Sequence, residues 1–212
     1  MRSVLLALAL LMLASGCGGG GEESSATGGE CESVEAPDPR VPDSREAPSE
    51  PLAAGTSYAL VFETTCGAFT VELDTELAPN TSASLVALAR DGYFDDTVFH
   101  RIAPGFVIQG GDPTQTGRGG PGYSTVDVPP SDSRYAKGLV AMAKSPLEPA
   151  GTAGSQFFVV TGEDASLTPD YAIVGEVTQG LGVVVERIGA LGDASEQPTQ
   201  PVVVRSVTVT ER

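Results

Sequence analysis

Short apolar segments, each ended by Gly, Pro or Asp, most constrain what this chain can fold into. In the segment from Ala68 to Asp74, apolar and polar residues alternate from Phe69 onward, which is the two-residue period of a β-strand with one buried face. Together with Tyr58 to Thr65, it predicts an antiparallel hairpin that turns at Cys66 and Gly67.

The rest of the chain repeats this pattern and adds two helical segments. Further strands are predicted at 97–102, 106–110, 138–143, 156–161, 171–177 and 202–210. A helix is predicted from 79 to 91, where Gly92 ends the apolar stripe, and a second from the apolar spacing between 181 and 188. Eight strands and two helices predict a mainly β fold, a closed eight-stranded antiparallel barrel capped by two helices.

The N-terminus has the pattern of a targeting signal. An apolar run from Val4 to Leu13 is too short to span a bilayer, and small residues follow it immediately before Cys17. This arrangement resembles a bacterial lipoprotein signal, which implies that residues 1–16 are removed and that Cys17 is lipidated. We therefore expect an exported protein, anchored by lipid to a cell membrane and facing outside the cytoplasm. The alternative is an ordinary secretory signal that leaves Cys17 as a free thiol.

Residues 17–57 separate this signal from the predicted domain at 58–212. They are rich in Gly, Ser, Glu and Pro and have little apolar periodicity, so we expect an acidic tether that holds the domain clear of the membrane. Cys31 lies in this segment and Cys66 in the first hairpin turn. Outside the reducing cytosol the two could form a disulfide, and the alternative is two unpaired thiols.

The charge of the chain, its single histidine and the absence of certain motifs argue against several classes of function. The chain has 28 acidic and 12 basic residues, a net charge of −16 and no basic cluster, which argues against nucleic acid as a partner. Its single histidine, His100, and the absence of a G-x-S-x-G turn argue against a Ser/His/Asp hydrolase. One histidine and two cysteines besides Cys17 lack the spacing of a zinc site. The Gly-rich stretch at 117–122 lacks the Lys and the helix of a phosphate-binding loop and is interpreted as a surface loop.

One predicted hairpin carries a mixed polar and apolar face. Phe99 to Ile102 and Phe106 to Gln109 are joined by an Ala-Pro-Gly loop, which predicts that Arg101 lies opposite Val107. Strand alternation then puts Gln109 on the same face. By itself this pattern leaves two interpretations open: a functional surface, or a surface ion pair beside a solvated glutamine.

The segment from Phe99 to Asp112 reads Phe-His-Arg-Ile-Ala-Pro-Gly-Phe-Val-Ile-Gln-Gly-Gly-Asp and resembles the signature of the cyclophilins. Gly154 to Phe158 resembles the second motif of that family, and the resemblance extends over about residues 57 to 211. It implies an eight-stranded barrel with two capping helices. It also implies cis/trans isomerisation of X-Pro peptide bonds without a cofactor or a metal.

The same resemblance implies roles for individual residues. Arg101 would donate a hydrogen bond to the prolyl nitrogen, with Gln109 and Phe106 completing the catalytic set. The proline ring would enter an apolar slot made by Phe106, Val107, Phe158 and Leu167. The backbone N–H of Lys144, where the family commonly has Asn, would hold the carbonyl. The remaining residues implied to bind substrate are Ala143, Gln156, Tyr171 and His100.

Two alternatives accompany these expectations. The slot residues could be ordinary barrel core, a role that Phe157 is predicted to take because it faces the opposite side of its strand from Phe158.

The expected function is isomerisation of X-Pro bonds in exported or surface proteins, which assists their folding. The alternative is a membrane-anchored module that binds proline segments without catalysis. The expected partners are proline-containing polypeptides and the membrane, and the chain is expected to be a monomer.

Overall fold

The computed structural model describes residues 29–42 and 44–212. The predicted signal peptide and Cys17 lie outside the described residues. Within the described ranges, no helix combines the length and the apolar character needed to cross a membrane.

The described part of the chain is mainly β-structure with two helical segments. Its strands are β1 (Tyr58–Thr64), β2 (Gly67–Leu73), β3 (Thr97–Val98), β4 (Arg101–Ala103), β5 (Val107–Gly110), β6 (Thr125–Val126), β7 (Leu139–Met142), β8 (Thr152–Ala153), β9 (Phe157–Val160), β10 (Ile173–Gln179) and β11 (Val203–Glu211). Helix α1 spans Pro79–Arg90, and a π-helical turn, Leu181–Val185, leads directly into the short helix α2, Glu186–Gly189. The predicted hairpin and both helical segments are confirmed.

Nine strands form one antiparallel sheet in the order β3-β11-β1-β2-β10-β7-β9-β5-β4, and β6 pairs with β8 separately. The edge strands β3 and β4 are consecutive in the chain, with Phe99 and His100 between them. The sheet must therefore curl until its edges approach each other. In the part of the chain that the structure describes, no ladder joins β3 to β4, so the predicted closed eight-stranded barrel is not confirmed.

The difference arises where one strand was predicted at 97–102. The chain changes partner inside this segment: Val98 pairs with Val203 of β11, whereas Ile102 pairs with Ile108 of β5. Between them, the Phe99 N–H donates to the Val202 carbonyl over 3.0 Å. The apolar pattern of the segment is continuous, but its hydrogen bonds go to two different strands.

The inner face of the sheet encloses the main hydrophobic core. The rings of Phe62 and Phe69 stack with centroids 4.8 Å apart, and Phe157 packs 5.2 Å from Phe62. Leu85 and Leu88 of α1 are buried against this core. Phe157 thus takes the core role predicted for it.

Helix α1 begins at Pro79 because proline fits the first helical turn and has no N–H to leave unpaired. Its own N-terminal flanking residue gives no side-chain cap. Asp127 supplies one from a distant loop, accepting from the Thr81 N–H at 2.7 Å and from the Asn80 side-chain amide at 2.9 Å. The position of the β6 loop is thereby tied to the start of the helix.

The segment before β1 is bound to the domain at several points. We call residues 31–42 and 44–45 the N-terminal strap. A disulfide joins Cys31 to Cys66, which is one of the two alternatives that the sequence left open. The Glu32 N–H donates to the Thr65 carbonyl over 2.7 Å. Within the predicted tether, the strap therefore lies against the domain instead of extending away from it, since a covalent link and hydrogen bonds supply what its apolar content does not.

Candidate active site

The β4–β5 hairpin has a different register from the predicted one. Arg101 lies opposite Gln109, and Ala103 lies opposite Val107. The turn is shifted along the chain, with Gly105 at φ +68° and the Phe106 N–H donating to the Ala103 carbonyl over 3.0 Å. The shift is an even number of residues, so Arg101, Val107 and Gln109 still share one face, as predicted.

Val107 on that shared face belongs to a second apolar cluster, on the outer side of the sheet. Its floor is buried, with Val107 2% and Phe158 4% exposed. The Phe158 ring meets Tyr171 edge-on with centroids 5.6 Å apart. The partly exposed members of this cluster include four residues that the sequence assigned to the site, Phe106, Ala143, Leu167 and Tyr171. All six apolar and aromatic candidates thus belong to one cluster, separate from the main core.

A row of hydrogen bonds borders this cluster. Arg101 Nε donates to Glu196 Oε2 over 2.7 Å, and Arg101 Nη1 donates to Gln109 Oε1 over 3.2 Å. Gln109 Nε2 in turn donates to Gln156 Oε1 over 3.0 Å, and Gln156 donates to the Gly119 carbonyl over 2.9 Å. The guanidinium carbon also lies 5.7 Å from the centre of the Phe106 ring. The row therefore fixes the orientation of Arg101 beside the cluster.

The ammonium group of Lys144 is bound to groups next to the site. Its side chain is 3% exposed and folds back, with Nζ 3.3 Å from Asp170 Oδ2 and 3.1 Å from the Glu148 carbonyl. The ammonium also lies 5.5 Å from the centre of the Tyr171 ring. Among the described residues the backbone N–H of Lys144 has no acceptor. A donor is thus available at the end of β7.

His100 is not part of the apolar cluster. Both of its ring nitrogens are buried and have no hydrogen-bond partner among the described residues. This burial lowers the pKa of His100; nearby Asp112 and the Gln156 side chain, which is close but outside hydrogen-bond geometry, oppose the shift, and Arg101 adds to it. His100 is therefore a buried side chain in a position that favours the neutral ring over the charged one.

Asp112 organises the loop beside Gln156. Its carboxylate accepts from the Thr114 N–H at 2.8 Å and from the backbone N–H groups of Thr116, Arg118 and Gly119 at 3.1 Å each. Burial alone raises the pKa of Asp112, but the hydrogen bonds from Thr114 and from the backbone outweigh it and hold the pKa below its ordinary value. A charged Asp112 thus keeps the Gly119 carbonyl where Gln156 can reach it.

A groove of about 1170 Å³ adjoins the end of the polar row that contains Gln109 and Gln156. One side is formed by Gln109, Ala143 and Gln156, and the loop held by Asp112 forms another part. Within the described residues, no group of three or more His, Cys, Asp or Glu side chains could hold a metal ion. The site thus consists of an apolar slot, an oriented guanidinium, a backbone donor and an adjoining groove.

The sequence matches the family described as cyclophilin type peptidyl-prolyl cis-trans isomerase/CLD over residues 59–209. The chain belongs to the cyclophilin family. Its enzyme class is peptidyl-prolyl cis-trans isomerase.

Similar proteins occur in several different organisms. The chain is 39% identical to peptidyl-prolyl cis-trans isomerase-like 1 of Gibberella zeae over 157 residues, covering 72% of this chain and 94% of that protein. It is 37% identical to peptidyl-prolyl cis-trans isomerase A of Mycobacterium tuberculosis over 179 residues, covering 76% and 95%. A crystal structure of a Cryptosporidium parvum cyclophilin, determined in the presence of the dipeptide Ala-Pro, has a TM-score of 0.65 and 29% identity, covering 73% of this chain and 99% of that one.

Two features of this cyclophilin were missed by sequence reasoning. Glu196 reaches Arg101 from 95 positions away, and no local pattern marks it as a partner. The strap contributes Pro39 to Pro42 to the groove, although its composition predicted a tether. The Asp112 loop did carry a signal, since Asp followed two residues later by Thr114 is a common turn arrangement.

Proposed function

We propose that this cyclophilin accelerates rotation about X-Pro bonds with Arg101 as the donor to the prolyl nitrogen. The observation that carries the proposal is the position of Arg101, which Glu196 and Gln109 hold beside the apolar cluster of Phe106 and Val107. A donor fixed in advance needs no reorganisation when the substrate twists.

The chemistry needs neither a nucleophile nor an acid of shifted pKa. Prolyl rotation must overcome a barrier of roughly 18–20 kcal/mol that comes from amide resonance. In the twisted transition state the nitrogen becomes basic, so a donor to it binds the transition state more strongly than the ground state. A charge-assisted hydrogen bond of this kind contributes on the order of 1.5–3 kcal/mol.

The other residues would hold the substrate while it rotates. The proline ring enters the slot over Val107 and Phe158, and the Lys144 backbone N–H donates to the carbonyl of the residue before the proline. Gln109 and Gln156 would bind the extended backbone. With the ring held in the slot, rotation is confined to the prolyl C–N bond, and the Lys144 N–H would bind the carbonyl in its twisted position.

Substituting Arg101 tests this assignment. In an assay with a short X-Pro peptide, Arg101→Ala should lower kcat/KM about ten- to hundredfold, because the donor is lost while the slot remains. Arg90→Ala is the matched control, since Arg90 is half-exposed and paired with Glu211 away from the site. Unchanged turnover in Arg101→Ala would contradict the mechanism. Peptide binding without any acceleration by the wild type would favour the binding module.

We propose further that the protein acts on exported or surface proteins and assists their folding at a membrane to which Cys17 is anchored. The disulfide between Cys31 and Cys66 supports a compartment outside the reducing cytosol. Mass spectrometry of the mature protein tests the anchor: we expect a lipidated Cys17 at the N-terminus, and an unmodified Cys17 would contradict it.

A further inference from the structure

The groove beside the polar row has two walls of different origin. One wall contains Gln109, Ala143 and Gln156, which belong to the proposed isomerase site. The N-terminal strap contributes Pro39, Arg40, Val41 and Pro42, which form the strap wall, and the loop at 114–124 contributes most of the remaining lining. Residues of the site and residues of the strap therefore line the same groove.

The strap wall is fixed in place at both ends. Before it, the Gln115 side-chain amide donates to the Pro37 carbonyl over 2.8 Å, and within it the Arg40 N–H donates to the Pro113 carbonyl over 2.9 Å. Beyond it, the Arg45 N–H donates to the Pro121 carbonyl over 2.7 Å. These contacts hold the strap to the loop that follows Asp112.

The side chains of Arg40 and Arg45 both contact the ring of Tyr93. The guanidinium carbons of Arg40 and Arg45 lie 5.6 Å and 5.1 Å from the centre of the Tyr93 ring, and Arg40 also donates to the Tyr93 carbonyl. Close packing continues at Gly122, where a Cβ atom would lie 2.9 Å from the Cα of Ser44. The strap is thus seated by complementary packing and not by its disulfide alone.

The groove-facing side of this wall is apolar. Val41 is 83% exposed and stands between Arg40, whose charge is directed to Tyr93, and Pro42. Prolines on the wall have no N–H to donate, so they offer a bound chain apolar surface instead of a second ladder of hydrogen bonds. A segment lying in the groove would meet amide groups on one side and apolar side chains on the other.

We propose that the strap is a specificity wall: Val41, together with Pro39 and Pro42, contacts an apolar residue that neighbours the proline in an extended polypeptide substrate. This proposal rests on the proposed function, because it takes the polypeptide whose proline fills the slot as the occupant of the groove. Continuity of the lining through Gln109, Ala143 and Gln156 supports that occupant. The wall therefore selects substrates by residues outside the X-Pro bond.

The test uses the full mature chain and three peptides. One is a short X-Pro peptide, the second extends it on both sides with valine and leucine, and the third carries serine in their place. Isomerisation is measured by NMR exchange, which needs no coupling protease, and binding is measured in parallel by fluorescence anisotropy. Val41→Ser is compared with Val128→Ser, a valine that is 60% exposed and outside the groove lining, and with Val41→Leu.

We expect Val41→Ser to weaken binding and lower kcat/KM about fivefold for the valine- and leucine-extended peptide, since a contact of about one methylene's worth of apolar area is lost. The short and serine-extended peptides should be unaffected, Val128→Ser should behave like the wild type, and Val41→Leu should keep the preference.

Three results would contradict the proposal. In the first, Val41→Ser behaves like Val128→Ser on every peptide. In the second, Val41→Ser raises turnover of all the peptides, which would make the strap an obstruction, and in the third, neither extended peptide binds. Failure of the proposed function looks different. In that case the wild type binds the apolar peptide in a Val41-dependent way but accelerates isomerisation of no peptide. The proposed role of the strap in binding would then hold, and the proposed catalytic activity would not.

Discussion

At the scale of single residues, the site depends on how Arg101 is restrained. The guanidinium is bonded to Glu196 through Nε and to Gln109 through Nη1, and it lies near the Phe106 ring. Each contact uses a different part of the planar group, so together they fix its rotation as well as its place. An arginine on an exposed hairpin without such partners would sample many rotamers.

Glu196 is predicted to act through Arg101 as a positioning residue. Glu196→Gln should lower kcat about two- to tenfold and leave KM within about twofold, because the guanidinium loses its orientation while the apolar slot is intact. Glu163→Gln is the control, since Glu163 is 91% exposed and pairs with Lys137. Steady-state kinetics of the two variants check this. An equal loss in both, or a change confined to KM, would argue against positioning.

His100 is predicted to make stability depend on pH. Its pKa is lowered below the ordinary 6.5 because burial disfavours the charged ring. Below about pH 6.5 the unfolded chain takes up a proton that the folded chain does not, so the free energy of unfolding should fall by at most about 1.4 kcal/mol per pH unit. The loss should begin as pH drops through 6.5 and stop below the folded pKa.

Urea unfolding at pH 7.5 and pH 5.5 measures this effect. His100→Phe should lose most of the difference, since the chain has no other histidine. The same pH dependence in that variant would show that other groups cause it.

At the scale of elements, strand pairing was harder to predict than strand faces. The sequence predicted Arg101 opposite Val107, but its partner is Gln109. The prediction that Arg101, Val107 and Gln109 share one face was nevertheless confirmed, because a register change of an even number of residues leaves every side chain on its side of the sheet. Which residue opposes which depends on where the turn closes, here at Gly105.

Helix α1 is predicted to depend on a cap from another element. Asp127→Ala removes an acceptor from the Thr81 N–H and from the Asn80 side chain, and should cost about 1–2 kcal/mol of unfolding free energy. Asp132→Ala is a matched control, because Asp132 is exposed and has no hydrogen bond among the described residues. Thermal or urea unfolding compares them, and equal stability of the two variants would contradict a capping role.

At the scale of the whole molecule, the strap and the domain are expected to be stabilised by their disulfide. Cys31 and Cys66 are 35 residues apart in sequence, and closing a loop of that size stabilises the folded state by about 3–4 kcal/mol in the chain-entropy treatment. A reducing agent should therefore lower the Tm of the wild type clearly. The double variant Cys31→Ser/Cys66→Ser should start at the lower Tm and show no response to the reductant. A wild type that is insensitive to reduction would contradict the prediction.

The sequence by itself determined most of the β-strands, both helical segments, the shared face of Arg101, Val107 and Gln109, and the likeness to the cyclophilins, but it missed the short strands β6 and β8. These follow from short-range periodicity and from motifs contiguous in the chain. Only the tertiary structure decided the sheet order, the pairing of Arg101 with Glu196 across 95 residues, and the seating of the strap. The physical reason is that a period states which side a residue faces, whereas contact between distant residues depends on how the curled sheet brings its loops together.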